Sequence, residues 1–126
     1  MITRADAMST ERNEREQGGA GVTEITHMFR KEDLPVLSRL FAVIALEPGA
    51  SIGLHRHVGE DEVYYVIRGE GTLVDGGVRS CLSPGDAHLV KSGETHGIEN
   101  AGNERLEFVA VIVRTVSGRV ASESPA

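Results

Sequence analysis

Two histidines at alternate positions, His55 and His57, precede three consecutive acids, Glu60, Asp61 and Glu62. In a β-strand, residues i and i+2 point to the same face and lie about 6.5–7 Å apart along the strand. The two imidazoles can therefore converge on one metal ion, because the bond from a first-row metal to a histidine nitrogen is about 2 Å long. The pair alone is weak evidence, since an exposed strand can carry two surface histidines at the same spacing.

An acid on the following strand would complete such a site. If residues 58–61 form a short turn, the next strand folds back against the first, and the Glu62 carboxylate returns to the face of the two histidines. Glu60 and Asp61 then lie in the turn, in contact with solvent. The competing assignment makes Glu60 the ligand, and the spacing leaves both assignments open.

Two longer patterns extend the histidine pair. Residues 49–69 read G(x)5HxH(x)4E(x)6G, which resembles the first cupin motif at every fixed position. Residues 85–100, GDAHLVKSGETHGIEN, resemble the second cupin motif, G(x)5PxG(x)2H(x)3N. The one departure is Lys91, which stands where the family usually has proline and touches no ligand position. With plausible flanking strands, the resemblance extends over most of residues 23–115.

The resemblance implies an all-β fold, an antiparallel jelly-roll barrel, with a metal held inside by His55, His57, Glu62 and His96. Three imidazoles and one carboxylate suit a divalent transition metal, Mn, Fe, Co, Ni, Cu or Zn, better than Ca or Mg. Such a centre keeps a positive charge of about one and favours a small anionic ligand. The sequence does not choose among the metals.

Cupins include dioxygenases, decarboxylases, isomerases and non-catalytic binding or sensing domains, so the fold does not decide the function. The first hypothesis is a small metalloenzyme, of the dioxygenase or isomerase type, that acts on an oxygen-rich small molecule. The alternative is a module that binds a small molecule without turnover. A non-ligand acid or base that points inward would favour the enzyme, and an aliphatic cavity would favour the binding module.

Three side chains are candidates for catalysis: Tyr64, His88 and Arg39. Tyr64 has the strand parity of Glu62, so its hydroxyl could border the cavity. His88 could carry protons near neutral pH, or it could be a packing histidine. Arg39 interrupts an apolar strand, where it either binds a substrate carboxylate or forms an edge or interface charge. His27 is interpreted as a packing residue.

The elements that must position these residues are short strands, because apolar runs alternate with Gly, Pro, Asn and Asp. The predicted strands span 23–29, 37–46, 52–57, 61–68, 71–74, 78–82, 87–90, 95–99 and 104–115. Residues 22–116 then form the barrel domain. Residues 1–21 are dense in charge and predict a mobile tail, and 117–126 predict a second one.

Two predicted strands, FAVIAL and VYYVI, are apolar on both faces, so both faces must be covered. A small barrel covers one face, and the other would meet the N-terminal strand or a second subunit. We predict a homodimer on this ground.

The composition excludes several classes of partner. The net charge is −6 and the basic residues are scattered, which disfavours nucleic acids and acidic membrane surfaces. No apolar run has the length of a membrane span or of a secretory signal, so a cytoplasmic protein is expected. The single cysteine, Cys81, lacks a partner for a thiol motif and is interpreted as a buried or half-buried apolar residue.

Overall fold

The computed structural model describes residues 1–116, so the predicted C-terminal tail, 117–126, lies outside the described residues. Within them, ten strands form two antiparallel sheets, ordered β1-β2-β3-β10-β5-β8 and β4-β9-β6-β7. The strands are β1 (Ser9–Glu14), β2 (Val22–His27), β3 (Ser38–Leu46), β4 (Ser51–Arg56), β5 (Glu60–Arg68), β6 (Gly71–Asp75), β7 (Val78–Leu82), β8 (Ala87–Val90), β9 (Thr95–Glu99) and β10 (Leu106–Arg114).

This architecture confirms the predicted jelly roll. The nine predicted strands correspond to β2 through β10, and their ends agree within two residues. Helical structure within residues 1–116 is limited to three 3-10 turns, at Ala5–Ala7, Glu16–Gly18 and Lys31–Asp33. None of these helical segments has the length and apolar character needed to cross a membrane.

The core lies between the two sheets and follows the strand period of two. In β10, Phe108, Ala110 and Ile112 are buried, while the residues between them are more exposed. In β5, Tyr64 and Val66 point to the same core from the neighbouring strand. The inner faces are mostly aliphatic, so the few polar groups among them stand out as candidates for function.

Strand pairing brings the two motif segments together. His55 of β4 lies opposite His96 of β9 in the smaller sheet. In the larger sheet, Glu62 and Tyr64 of β5 lie beside β8, with Tyr64 opposite His88. Residues that are 41 positions apart, His55 and His96, and 24 positions apart, Tyr64 and His88, therefore become neighbours.

The N-terminal segment differs from the mobile tail that its composition predicted. Strand β1 pairs with β2 along its whole length, with Thr10 opposite Thr26 and Arg12 opposite Glu24. The Thr10 and Thr26 hydroxyls lie 2.9 Å apart, and the Arg12 guanidinium donates to the Glu24 carboxylate. Backbone pairing and polar cross-strand contacts hold this segment, so its low apolar content was a poor guide.

The turn after β1 packs against β4 through two glycines. The Ala20 carbonyl accepts from the Ser51 backbone N–H at 2.8 Å, and the Ser51 hydroxyl accepts from the Ala20 N–H at 2.8 Å. A Cβ atom on Gly19 would lie 2.1 Å from the Ser51 carbonyl oxygen, and one on Gly53 would lie 2.1 Å from the Gln17 carbonyl oxygen. Only glycine permits this approach, which covers the free edge of β4.

The position of Cys81 corrects the interpretation as a buried residue. It lies on β7, an edge strand of the smaller sheet, and its side chain is exposed. The thiol donates to the Glu70 carboxylate at 3.4 Å, and this hydrogen bond raises the pKa of the thiol. A raised pKa disfavours the reactive thiolate, so Cys81 has no feature of a nucleophile.

Candidate metal centre

Four predicted ligands converge between the sheets: His55 from β4, His57 just after it, Glu62 from β5 and His96 from β9. The three Nε2 atoms form a nearly equilateral triangle with sides of 3.1–3.2 Å. Glu62 Oε1 lies 2.9 Å from His57 Nε2 and 3.2 Å from His96 Nε2. The structure therefore brings together the whole set that the two motifs implied.

The outer nitrogen of each imidazole has its own hydrogen-bond partner. His55 Nδ1 lies 2.7 Å from the Gly53 carbonyl oxygen, and His57 Nδ1 lies 3.1 Å from Glu60 Oε1. Carbonyl and carboxylate oxygens only accept, so both rings carry their proton on Nδ1 and turn an unprotonated Nε2 inward. His96 Nδ1 lies 3.1 Å from His88 Nε2 and completes the pattern when His88 accepts.

This donor set fits a transition metal. With the protons on the outer nitrogens, lone pairs from three imidazoles and one carboxylate point at a common centre, an arrangement that a bound cation stabilises. Bonds of about 2.0–2.2 Å at right angles would place neighbouring donor atoms about 3 Å apart, as these are. Mixed nitrogen and oxygen ligands favour Mn, Fe, Co, Ni, Cu or Zn over Ca or Mg.

Burial in the cluster is uneven. His96, Glu62 and His57 have relative exposures of 0%, 3% and 6%, whereas His55 is only partly buried. Burial lowers the pKa of His55, which keeps its ring neutral and able to bind a cation. His55 is therefore the ligand whose side chain is most exposed to solvent.

Tyr64 is fully enclosed behind the cluster. Its ring stacks on His96, with centroids 5.0 Å apart and planes 19° apart, and packs on Phe108 at 4.6 Å. Burial raises the pKa of Tyr64 well above its ordinary value, and the nearby Glu62 carboxylate raises it further through its charge and a hydrogen bond. The hydroxyl is thus a donor to the ligand carboxylate near neutral pH, not a base for a substrate.

His88 points into the barrel and contacts a ligand. It is buried on β8, next to His96, and its Nδ1 lies 3.9 Å from Asp75 Oδ2. Burial lowers the pKa of His88, so its ring is neutral at pH 7 and can accept the His96 Nδ1 proton. The inward orientation that the sequence left open is therefore found, but the contact is with a ligand.

Arg39 and Glu60 bind each other. The Arg39 guanidinium donates twice to the Glu60 carboxylate, at 2.6 and 2.8 Å, and lowers the pKa of Glu60. Glu60 Oε1 contacts the outer nitrogen of His57, so Glu60 lies outside the ligand set and Glu62 inside it. Sequence reasoning missed this role and placed Glu60 in a solvated turn, whereas Glu60 begins β5 with a side chain that is 16% exposed. Its place three residues after His57 was the usable signal.

Asn100, the last position of the second motif, has a structural role. Its Nδ2 donates to the carbonyl oxygens of Leu46 and Glu104, at 2.8 and 2.7 Å, and its Oδ1 accepts from the Gly102 N–H at 3.0 Å. The side chain is almost fully buried. Asn100 thus joins the end of β3 to the loop before β10, away from the ligands.

The Lys91 departure from the motif is compensated locally. The Lys91 backbone N–H, which proline would lack, donates to Glu94 Oε1 at 2.8 Å. The turn that delivers β9 and His96 is held by this contact instead of by a proline ring.

The cluster predicts a loss of metal affinity in acid. A protonated imidazole cannot bind a cation, so the affinity for Co²⁺ should be nearly constant above about pH 7 and fall below about pH 6. Burial lowers the pKa of His55 and His88 in the folded chain, so the unfolded chain binds protons first. The free energy of unfolding of the metal-free protein should therefore also fall as pH drops below about 6.5.

Chelator competition with Co²⁺ between pH 5 and 8 measures the affinity, and urea unfolding at the same pH values measures the stability. An affinity that does not change with pH would contradict imidazole ligation.

Comparisons with known proteins agree with the fold. A Cupin domain family model matches residues 42–112. An oxalate-binding protein of Thermotoga maritima is 44% identical over 113 residues, which cover 90% of this chain and 93% of that protein. The crystal structure of a predicted oxalate decarboxylase from Thermotoga maritima is 43% identical, with a TM-score of 0.87, over 91% of this chain and 100% of that one.

A more distant structure shares the fold alone. The sugar phosphate isomerase of the cupin superfamily from Silicibacter pomeroyi is 22% identical, with a TM-score of 0.76, over 91% of this chain and 76% of that one. The matched segment, 42–112, contains both motifs and all four residues of the cluster. The chain therefore belongs to the cupin family.

Proposed function

We propose that this chain holds a divalent transition metal through His55, His57, Glu62 and His96, and that the metal captures a small chelating dianion of the oxalate class. The observation that carries the proposal is the convergence of three histidine Nε2 atoms and one carboxylate oxygen, which all lie within 4.8 Å of one another. Such a ligand set leaves a divalent ion with a charge of about +1 and, in octahedral coordination, with two free positions. A bidentate dicarboxylate matches both properties.

The surroundings favour binding over turnover. Tyr64 contacts Glu62, His88 contacts His96, and Arg39 is occupied by Glu60, so each candidate for acid–base chemistry acts on the ligand shell. The remaining inner faces of the large sheet are mainly aliphatic. The name of the Thermotoga maritima relative, an oxalate-binding protein, supports the same choice.

A metalloenzyme of the dioxygenase or isomerase type is the second candidate. The inward placement of Tyr64 and His88 favours it, as do the two free positions on an octahedral ion, which would accept a substrate together with water or O₂. The binding module needs only the dianion.

Titration calorimetry with oxalate on the protein reloaded with Co²⁺, Mn²⁺ or Zn²⁺ tests the proposal. We expect oxalate to bind the loaded protein, acetate to bind at least about tenfold more weakly because it does not chelate, and the metal-free protein to bind neither. His27→Ala, a substitution of a histidine outside the cluster, is the matched control and should bind oxalate normally.

Two results would count against the proposal. Oxalate binding that does not depend on the metal would contradict it. Steady release of CO₂ or formate from oxalate, or O₂ consumption, would replace the binding module by an enzyme.

The proposal includes a homodimer. On the outer face of the larger sheet, β5, β8 and β10 present apolar side chains with exposures of 38–49%: Val63, Tyr65, Ile67, Leu89 and Val113. Strand β2 extends this sheet beside β3 and does not cover the face, so among residues 1–116 nothing lies over it. An apolar, uncharged patch is complementary to itself, as a two-fold interface requires.

Light scattering should give twice the 13.5 kDa chain mass. Tyr65→Glu should produce monomers, because it buries a charge in the interface. Val78→Glu, on the exposed edge strand β7, is the matched control and should leave the dimer intact. A monomeric unmodified protein at micromolar concentration would rule out the dimer.

A further inference from the structure

We propose that the Arg39–Glu60 ion pair is a positioning device for the metal ligand His57, which fixes the orientation of its ring and makes it the strongest donor of the three imidazoles. The inference rests on the metal site proposed above. Its starting observation is a continuous chain of contacts: Arg39 to Glu60 at 2.6 and 2.8 Å, and Glu60 to His57 Nδ1 at 3.1 Å.

The three ligand imidazoles differ in what receives their outer N–H. His55 donates to the neutral carbonyl group of Gly53, and the outer nitrogen of His96 contacts the neutral imidazole of His88. Only His57 donates to a carboxylate. A negatively charged acceptor draws the Nδ1 proton away from the ring more strongly, which increases the electron density at Nε2 and strengthens its bond to a metal.

Arg39 holds the carboxylate in this place. The Arg39 guanidinium donates one hydrogen bond to each Glu60 carboxylate oxygen. These bonds keep Glu60 on the outer side of the His57 ring and away from the cluster. Arg39 lies on β3 and Glu60 on β5, which flank β10. The two side chains therefore reach across about 10 Å of sheet to make the contact. The Glu60 side chain is largely buried, at 16% exposure, whereas Arg39 is 41% exposed.

Glu60→Gln is the decisive variant. We expect the affinity for Co²⁺, measured by chelator competition, to fall by about 10–100-fold, the usual effect of losing a partner of a ligand. The visible absorption bands of bound Co²⁺ should shift, because the donor strength of His57 changes. A merely structural role for Glu60 would lower the melting temperature of the metal-free protein and leave the Co²⁺ spectrum as it is.

Arg39→Gln and the double variant of Arg39→Gln with Glu60→Gln test whether Arg39 acts on His57 through Glu60. Arg39→Gln keeps the Glu60 carboxylate but removes the hydrogen bonds that hold it in place. We therefore expect a loss of roughly 3–10-fold in Co²⁺ affinity, smaller than for Glu60→Gln. Because Arg39 acts through Glu60, the double variant should bind Co²⁺ as Glu60→Gln does, without a further loss. If Glu60→Gln does not fold, the affinity and spectrum of Arg39→Gln decide the question.

Glu107→Gln is the matched control, since it also removes a carboxylate bound to an arginine, at 2.9 Å from Arg105. Glu107 lies five positions along β10 from Ile112, the partner of Glu62, which is about 17 Å away. Its Co²⁺ affinity and spectrum should match the unmodified protein.

Several results would overturn the inference. They are a Glu60→Gln affinity within about twofold of the unmodified protein with the same spectrum, an Arg39→Gln protein that is unchanged in both, and additive losses in the double variant. An unmodified protein that fails to bind Co²⁺ would instead refute the proposed metal site itself.

Discussion

Replacing His57 by alanine is expected to reduce the affinity for Co²⁺ by more than about a hundredfold, since the loss of an outer partner alone typically costs 10–100-fold. His57 lies at the centre of the cluster: its Nε2 is 2.9 Å from Glu62 Oε1 and 3.1 Å from His96 Nε2. The substitution removes a ligand and leaves a buried space beside the other three. Chelator competition and elemental analysis of the purified variant measure the effect.

The same substitution should act differently on the metal-free and the metal-loaded protein. Metal binding stabilises only the folded chain, so Co²⁺ should raise the melting temperature of the unmodified protein. In His57→Ala this increase should disappear. His27→Ala is the control, because His27 lies on β2, outside the cluster. A His57→Ala protein that keeps near-stoichiometric metal would contradict the ligand assignment.

Part of the ligand cluster was predictable from local geometry, since the spacing of two directs His55 and His57 to one centre. The predicted hairpin to Glu62 was wrong: residues 57–59 carry the chain from β4 in the smaller sheet to β5 in the larger sheet, so Glu62 meets the histidines from the opposite sheet. The pairing of β4 with β9, which brings His96 opposite His55, was not local, and it came from the resemblance of the second motif to a known family.

The ion pair of Arg39 and Glu60 beside the ligand His57 was not predictable from local geometry. Arg39 and Glu60 lie 21 positions apart, on strands that are not neighbours in the sheet. Their contact depends on the order of β3, β10 and β5 and on a bulge in β3, where Arg39 is the extra residue between Ser38 and Leu40. A single sequence specifies neither feature. Arg39 was therefore interpreted as either a substrate-binding residue or an edge or interface charge, and Glu60 as either a solvated turn residue or a competing ligand.

The composition of residues 1–21 wrongly predicted a mobile tail, because composition indicates only how much apolar surface a segment can bury. The segment instead contributes a backbone ladder along β2 and hydrogen bonds to the edge of β4. Edge strands attract such coverage because their backbone groups are otherwise left to solvent. The Gly19–Gly53 approach, which needs two glycines in distant segments, has no signature in hydropathy.

Deletion of residues 1–20 is therefore expected to destabilise the protein. Six residue pairs join β1 to β2, and a hydrogen bond contributes about 0.5–1.5 kcal/mol net, so we expect a loss of roughly 2 kcal/mol or more. For a domain of this size, that loss lowers the melting temperature by about 10 °C. The deletion removes the whole β1–β2 ladder and the contacts of Ala20 with Ser51.

The deletion should also weaken metal binding, and this second effect separates docking from a remote stabilising role. Gly53, which packs against Gln17, provides the carbonyl that orients His55, so a freed β4 edge loosens one ligand. Deletion of residues 1–8 is the matched control, because it ends before β1 and breaks no ladder pair. Calorimetry and Co²⁺ competition on both truncated proteins measure the effects. If the longer deletion melted within about 2 °C of the full chain, where 1 kcal/mol corresponds to 4–8 °C, the segment would contribute almost nothing to the fold.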